Sequence, residues 1–552
     1  MSIARHRART SVSMCRIGHV LLIAFTAILL LAACDNPSQA DPGGEENDEP
    51  DFDFEEVDTN VPEDERNETF YQFFYWDAYE GLWSDIADPS GGRREDAERL
   101  AAAGVTGVWL PPAAKAWGGT GDVGYAVYDV WDLGEFDQKG TVSTRYGTRS
   151  QLKEAVSTLA DLGVESYFDV VFNHRMGGDE TEVIPRDGDK GDIEAWTVFN
   201  LAGREEHYDE RWGDLYHDFD WNWRAFNGVD YWGKVGEGLE EQEETTFERK
   251  LWPDTFSDPY LMGTDVDYWY RPDGDDGPFV IRDEMKAWGE WIIDDIGFSG
   301  FRLDAIVHVP SEFTQEWADH VQQESNDDLT FIAEAWVPGD EGEFLDDVGS
   351  DSLDAFDFEL RGEFTGEYGL TSGEKDMRWW DGLVNSEHGD RAVTFVDNHD
   401  TNREGNPYFQ PQIDEFKMQA YAYILLHDRG VPTVYARDFD EAGLDDEIEA
   451  LIRARTAFAY GEVNRDASTE EVHSVVFGGH EEYDDTGLVA LISGRDSGGT
   501  EEIAVSGAPA DTEFEDFTGN VSGTRTTDSD GEGTFEVQLT ESAGWSVWVP
   551  VE

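Results

Sequence analysis

The chain has 552 residues and a formal net charge of -83, from 122 acidic and 39 basic side chains. That charge argues against nucleic acid or any other polyanion as a partner, and 13% aromatics with 20 Trp are too many for a disordered acidic chain. The length supports a large core and two or three domains. The acid excess runs along the whole chain, which fits a surface kept hydrated, and screened from self-repulsion, in a high-salt organism.

The N-terminus reads as an address. Arg5, Arg7, Arg9 and Arg16 precede an apolar run over residues 20–33, too short to span a bilayer and of the length of a signal-peptide core. It ends in Leu31-Ala32-Ala33-Cys34, which resembles the lipobox of secreted lipoproteins. By that resemblance residues 1–33 are removed and Cys34 carries a lipid anchor, making the protein a cell-envelope lipoprotein or a secreted one. The other cysteine, Cys15, lies in the removed segment, so no disulfide is expected in the mature chain. Residues 34–67 are acidic and rich in Pro, Gly and Asn, and read as a solvated tether.

Residues 70–76 (FYQFFYW) form an apolar run that fits a buried strand. A helix over 93–103 stops at Gly104, and a second strand over 105–110 stops at Pro111-Pro112. A helix over 151–162 leads to a third strand over 164–172. Buried strands alternating with amphipathic helices indicate a parallel sheet. From 175 to 262 the rhythm breaks into a stretch dense in Trp, Tyr, Asp and Gly, read as an inserted subdomain. The alternation resumes with a helix at 283–296, a strand at 298–303 and a helix at 312–323. Strands follow at 329–333 and 353–358, then a helix around 376–384 and a strand at 392–396. A helix at 413–427, a strand at 431–435 and a helix at 447–460 close the series. Eight strands predict a (β/α)8 TIM barrel made of residues 68–174 and 263–461, with its chemistry at the strand ends. Residues 462–552 carry short runs separated by Gly, Asp, Ser and Thr, the pattern of a C-terminal antiparallel β-sandwich.

Residues 300–308, GFRLDAIVH, place Arg302 and Asp304 two apart on a strand and so on one face. Alone, such a pair is more often a structural ion pair than a site. Two further apolar runs end in acids, FIAEAW (331–336) and FVDNHDT (395–401), and DVVFNH (169–174) opens with Asp and ends in Asn-His. Together they offer Asp304, Glu334, Asp397, Asp400, Arg302, His174, His308 and His399, with Tyr125 and Trp336 nearby. There is no nucleophile elbow and no glycine-rich phosphate loop. Paired carboxylates with a neutralising Arg and many aromatics favour glycoside hydrolysis. A divalent-metal hydrolase remains the competing reading of the same Asp and His residues.

The four motifs DVVFNH, GFRLDAIVH, FIAEAW and FVDNHD stand in the order found in family 13 glycoside hydrolases. VTGVWLPPAAKA, DVGYAVYDVWDLGEFDQKGTVSTRYGT and PYLMGTDVDY resemble the liquefying α-amylases within that family. The resemblance runs from about residue 69 to 551. It implies a retaining endo-amylase acting on α-1,4 bonds of starch or glycogen. Its nearest alternative is a maltooligosaccharide-forming or transglycosylating member, and a non-catalytic glucan-binding protein is a more distant one. By resemblance Asp304 is the nucleophile, Glu334 the acid and then base, and Asp400 the holder of sugar hydroxyls. Arg302 orients Asp304, His174 and His399 bind hydroxyls, Tyr125 stacks on the ring, and His308 and Trp336 complete the substrate-binding set. The family's Ca2+ would be held by Asn173, Asp265 and the His308 carbonyl, with Asp258 a candidate one residue out of register. Val307 replaces a substrate-binding Lys on the leaving-group side, and Asn227 replaces an Asp tied to further metal ions. After the last barrel strand, the family's Tyr-Gly-Asp reads Tyr435-Ala436-Arg437-Asp438. A monomer is expected.

Overall fold

The structure, a computed structural model, describes residues 55–551 except 77–78, 202–219, 258–260, 273, 275–276 and 403–411. The expected signal run, Cys34, the first part of the tether and Asp258 lie outside the described residues. Among the described residues no helix is long and apolar enough to cross a membrane.

Eight parallel strands close into a barrel in sequential order: β1 (Phe70–Gln72), β2 (Gly107–Trp109), β3 (Glu165–Val170), β4 (Gly300–Leu303), β5 (Thr330–Ala333), β6 (Leu353–Phe356), β7 (Ala392–Phe395) and β8 (Val431–Tyr435), which pairs back with β1. The strands are shorter than their apolar runs. Side chains alternate between the barrel interior and the helices outside. Phe70, Trp109, Tyr167, Ile332, Phe356 and Val393 cluster together as one filling, as in a packed barrel centre. Phe301, Leu303, Phe331 and Ala333 join the larger cluster with the surrounding helices. Arg302 is paired in register with Asp169 of β3 and Ile332 of β5, so it points inward with them.

The helices between strands include Gly92–Ala103, ended by Gly104 at φ 113, and Arg149–Asp161, opened by a Thr148–Gln151 capping box. The helix Val280–Trp291 continues as a π-turn, Ile292–Ile296. Two expectations differ. Residues 376–384 form no α-helix; that stretch holds bends and the 3-10 turn Leu383–Asn385. Its Gly382 sits at φ 131, with Leu360 and the Asp357 carboxylate where a Cβ would be, and helical backbone does not continue through it. The helices on this side are instead Glu341–Val348, between β5 and β6, and Phe358–Phe364, directly after β6.

The described end of the expected tether touches the rest of the fold at a few points while most of its side chains stay exposed. The Val57 N–H donates to the Ala102 carbonyl at 2.9 Å, Val61 is buried, and the Asn67 amide bridges the carbonyls of Arg455 and Ala459.

The insertion after β3 is an antiparallel sheet of His174–Arg175, Thr264–Val266, Phe226–Lys234, Ile193–Val198 and Glu180–Ile184, with Glu240–Thr246 paired to Phe226–Lys234. It begins inside the motif DVVFNH and runs past the expected end at 262, because Asp265 pairs with His174. After residue 461 a six-stranded antiparallel sheet faces the pair Thr500–Val505 and Gly533–Gln538. Val472, Leu491, Ile503, Phe514, Phe535 and Trp548 share one core between them.

Candidate active site

The C-terminal ends of β3, β4 and β5 converge on one guanidinium. Arg302 is fully buried. Its Nη1 donates to Asp169 Oδ1 at 2.9 Å and to Asp304 Oδ1 at 2.6 Å, and its Nη2 lies 2.6 Å from Glu334 Oε1. A planar fork of this kind can serve several carboxylates at fixed angles, which an ammonium cannot. Asp304 leaves the barrel with its N–H on the Val170 carbonyl, and the Glu334 N–H bonds the Leu303 carbonyl. The next residue, Ala305, is in the left-handed region at φ 45, a costly conformation for a residue with a Cβ. The turn it makes sends the Ala305 N–H to Glu334 Oε2 at 2.8 Å. Asp304 and Glu334 are thus held on neighbouring nitrogens of one guanidinium.

Burial and the charges of Asp304 and Asp400 push the Glu334 carboxyl up to about 8, against the pull of Arg302 and the Ala305 N–H. Asp169 also accepts from Trp109 Nε1 at 2.9 Å and the Tyr125 hydroxyl at 2.7 Å. Burial raises it to about 6, while Arg302 and Tyr125 hold it down.

His399 takes the Gln72 amide on Nδ1 at 2.9 Å, so its Nε2 carries the proton and lies 3.3 Å from Asp400 Oδ2. His174 donates from Nε2 to the Tyr125 carbonyl at 3.0 Å. Its Nδ1 is buried without a hydrogen-bond partner among the described residues, and burial holds the ring neutral. That leaves an acceptor ready for a hydroxyl. The rings of Trp76, Tyr125 and His399 lie within 6° of parallel, with centroids 5.3–5.9 Å apart. Trp336 stacks on Phe358 at 4.7 Å.

Hydrogen bonds, ion pairs and ring contacts therefore join Asp304, Glu334, Arg302, Tyr125 and His399, with His174 attached through the Tyr125 carbonyl and Asp400 through His399. Asp397 is different. It is buried between Arg361 Nη2 (2.8 Å), the Thr401 hydroxyl (2.9 Å) and Lys417 Nζ (3.3 Å), so its role is in the scaffold. Asp169, Gln72 and Trp76 carried no assigned role in the sequence reading. Asp169 opened a motif and could have been found from it. Trp76 was hidden inside an apolar run, and only the early end of β1 at Gln72 sends it to the rim.

Among the described residues no group of three or more His, Cys, Asp or Glu is set to hold a metal. The expected calcium set mixes the Asn173 amide, the Asp265 carboxylate and the His308 carbonyl, with Asp258 outside the described residues. The Val266 N–H bonds the Asn173 carbonyl at 3.1 Å, which sets Asn173 beside the strand of Asp265. Asp265 accepts from the Asn227 amide at 2.6 Å. Burial and the charges of Asp267 and Glu244 push it up to about 7, and Asn227 only partly offsets this. A buried carboxylate pressed in this way fits a hard cation. His308 ends the turn after Asp304, where the Val307 carbonyl accepts the Ser257 N–H at 3.0 Å. Val307 itself is buried.

The family model described as the alpha-amylase catalytic domain matches residues 97–474. The chain belongs to the alpha-amylase family. This member is 33% identical over 503 residues to an alpha-amylase of Bacillus licheniformis, across 85% of this chain and 92% of that protein. It is 33% identical over 524 residues to a glucan 1,4-alpha-maltohexaosidase of Bacillus sp. (strain 707), across 89% and 94%. Among solved structures, the alpha-amylase of Geobacillus thermoleovorans complexed with acarbose superposes with a TM-score of 0.54 at 16% identity, over 88% of this chain and 98% of that one. That likeness bears on the fold alone. As a family member the chain is a glycoside hydrolase built on a (β/α)8 barrel.

Proposed function

We propose that this alpha-amylase family enzyme is endo-acting and hydrolyses internal α-1,4-glucosidic bonds of starch or glycogen with retention. The observation that carries the reading is the shared grip of Arg302 on Asp304 and Glu334. Two carboxyls on one guanidinium suit the separation of about 5 Å used by retaining glycosidases. Asp304, oriented by Arg302, attacks the anomeric carbon. Glu334, protonated at neutral pH, gives its proton to the departing glycosidic oxygen. The resulting β-glycosyl ester on Asp304 is hydrolysed when the Glu334 carboxylate takes a proton from water. The second inversion restores the α configuration. Asp400 and the His399 Nε2–H hold sugar hydroxyls, His174 Nδ1 accepts another, and Tyr125 stands beside the ring. Release of reducing sugar from soluble starch by the wild type, and its loss in Asp304→Asn, tests the reading. A fully active Asp304→Asn would sink it.

The maltohexaosidase among the relatives favours a second reading, a maltooligosaccharide-forming enzyme. Chain lengths released early from amylose distinguish the two, since a broad range marks endo-action and a single length the alternative. The buried, pressed Asp265 supports calcium held by Asn173, Asp265 and the His308 carbonyl, where the cation would clamp the inserted sheet to the barrel. The charge of -83 supports work in high salt. Leu31-Ala32-Ala33-Cys34 supports export and a lipid on Cys34; an N-terminal peptide without acyl mass after expression in an exporting host would refute the anchor.

A further inference from the structure

The short helix Ala436–Asp440 follows β8, at the point where Arg437 departs from the family's Tyr-Gly-Asp. Three of its side chains reach three different neighbours. Arg437 Nη1 donates to the Asn402 carbonyl at 3.1 Å and to Asn402 Oδ1 at 3.0 Å, and its Nε donates to Glu441 Oε2 at 2.9 Å. Asp438 accepts from Lys417 Nζ and from the Tyr421 hydroxyl. Asp440 accepts from Arg93 Nη1 at 2.8 Å and from the Tyr79 hydroxyl.

Two of these lines end on the turn that carries Asp400. On its upstream side Lys417 Nζ also lies 3.3 Å from Asp397, which accepts from the Thr401 hydroxyl at 2.9 Å. Asn398 Oδ1 takes the N–H groups of Asp400 and Thr401, both at 2.9 Å. On the downstream side Arg437 grips Asn402, two residues beyond Asp400. The Asn402 residue is buried, whereas the side chains of Arg437 and Glu441 are 26% and 50% exposed. Removing Arg437 therefore strands no buried charge. It does take a donor from two oxygens of a buried residue, which regain partners only if the turn shifts toward water. The open cavity that Asn402 and Arg437 both line gives it room to do so. Such a shift would carry Asp400 with it, along with the 3.3 Å approach of its Oδ2 to His399 Nε2.

We propose that Arg437 is a positioning residue for Asp400: by holding Asn402 it fixes the turn that aims the Asp400 carboxylate at the sugar hydroxyls. The inference rests on the glucan reading above, in which Asp400 holds those hydroxyls. A carboxylate doing this work is sensitive to small displacements, because a misplacement of about 1 Å can cost about 10²-fold in rate. The test is a double-mutant cycle on soluble starch, with each enzyme assayed below its own melting temperature. Wild type, Arg437→Ala, Asp400→Asn and the double variant are compared by kcat for release of reducing sugar. Arg437→Ala is expected to lower kcat by about tenfold when Asp400 is present. In the Asp400→Asn background the same change should cost less than about twofold, because the group that Arg437 aims is already gone. A residue that only supported the fold would cost the same in both backgrounds. Arg437→Lys, which keeps a long stem and a cationic donor, enters the same cycle and should fall between Arg437→Ala and wild type. Equal losses in the two backgrounds, or an Arg437→Ala enzyme within about twofold of wild type, overturn the proposal. Failure of the glucan reading itself shows differently, as a wild type that releases no sugar from starch.

Discussion

Glu334 is where the geometry makes its most quantitative demand. An ordinary glutamate carboxyl, at 4.5, would be protonated in well under about 1% of molecules at pH 7, whereas at about 8 roughly nine in ten carry the proton. An acid that must be protonated to act loses activity as the pH rises through its pKa, so kcat/KM should fall on the alkaline side near pH 8. Replacing Glu334 by Gln removes the proton donor and the later base. General acid–base catalysis contributes about 10²–10⁴-fold, or about 3–5 kcal/mol of barrier, and a loss of that size is expected on soluble starch. Two controls separate chemistry from damage. A glycosyl fluoride needs little proton assistance, so its first step should survive in Glu334→Gln. Azide, a nucleophile that needs no base, should then resolve the glycosyl-enzyme to an α-glycosyl azide. In Asp400→Asn the residual activity should show its alkaline limb moved to lower pH, because the Asp400 charge helps raise Glu334. A Glu334→Gln enzyme within tenfold of wild type on starch, or one that keeps the limb near pH 8, would refute the assignment.

Further expectations concern the scaffold. Arg302→Lys keeps a charge but cannot serve Asp169, Asp304 and Glu334 together; thermal unfolding should show a loss of about 3–5 kcal/mol, the scale for breaking buried ion pairs, alongside a steep fall in kcat. Asp397→Ala should lower the melting temperature by removing the buried carboxylate between Arg361 and Lys417, with Lys417 keeping Asp438, whereas Asp400→Ala should unfold near the wild-type temperature and lose turnover instead. Chelation should lower the melting temperature, with about 2.7 kcal/mol at stake for calcium at a hundred times its Kd, and Asp265→Asn should abolish that calcium dependence. Adding salt to about 1 M, where screening length falls to about 3 Å, should raise the melting temperature. A chain most stable in dilute buffer would contradict the reading of its charge.

The barrel was legible because its strands are buried on both faces and so appear as unbroken apolar runs between amphipathic helices. Asp304, Glu334 and Asp400 were legible for a related reason, as acids at the ends of such runs. Local pattern failed where tertiary contacts decide. The stretch around Met377, Trp379 and Trp380 has apolar spacing fit for a helix, yet Gly382 must pass close to Leu360 and Asp357. Glu240–Thr246 is a strand with charged side chains and little apolar alternation, held by pairing to Phe226–Lys234. Asp397 and Asp400 look alike in FVDNHD, and only the positions of Arg361 and Lys417 show which one belongs to the framework. The grip of Arg302 on both carboxyls depends on register between β3, β4 and β5, which no single strand encodes.

Double displacement of the glucosidic bond by Asp304 and Glu334 is tested most directly by proton NMR of the first sugars released from soluble starch, read before mutarotation equilibrates them. The account predicts that the new reducing ends appear as the α anomer and relax toward the β. New ends that appear first as the β anomer would contradict it.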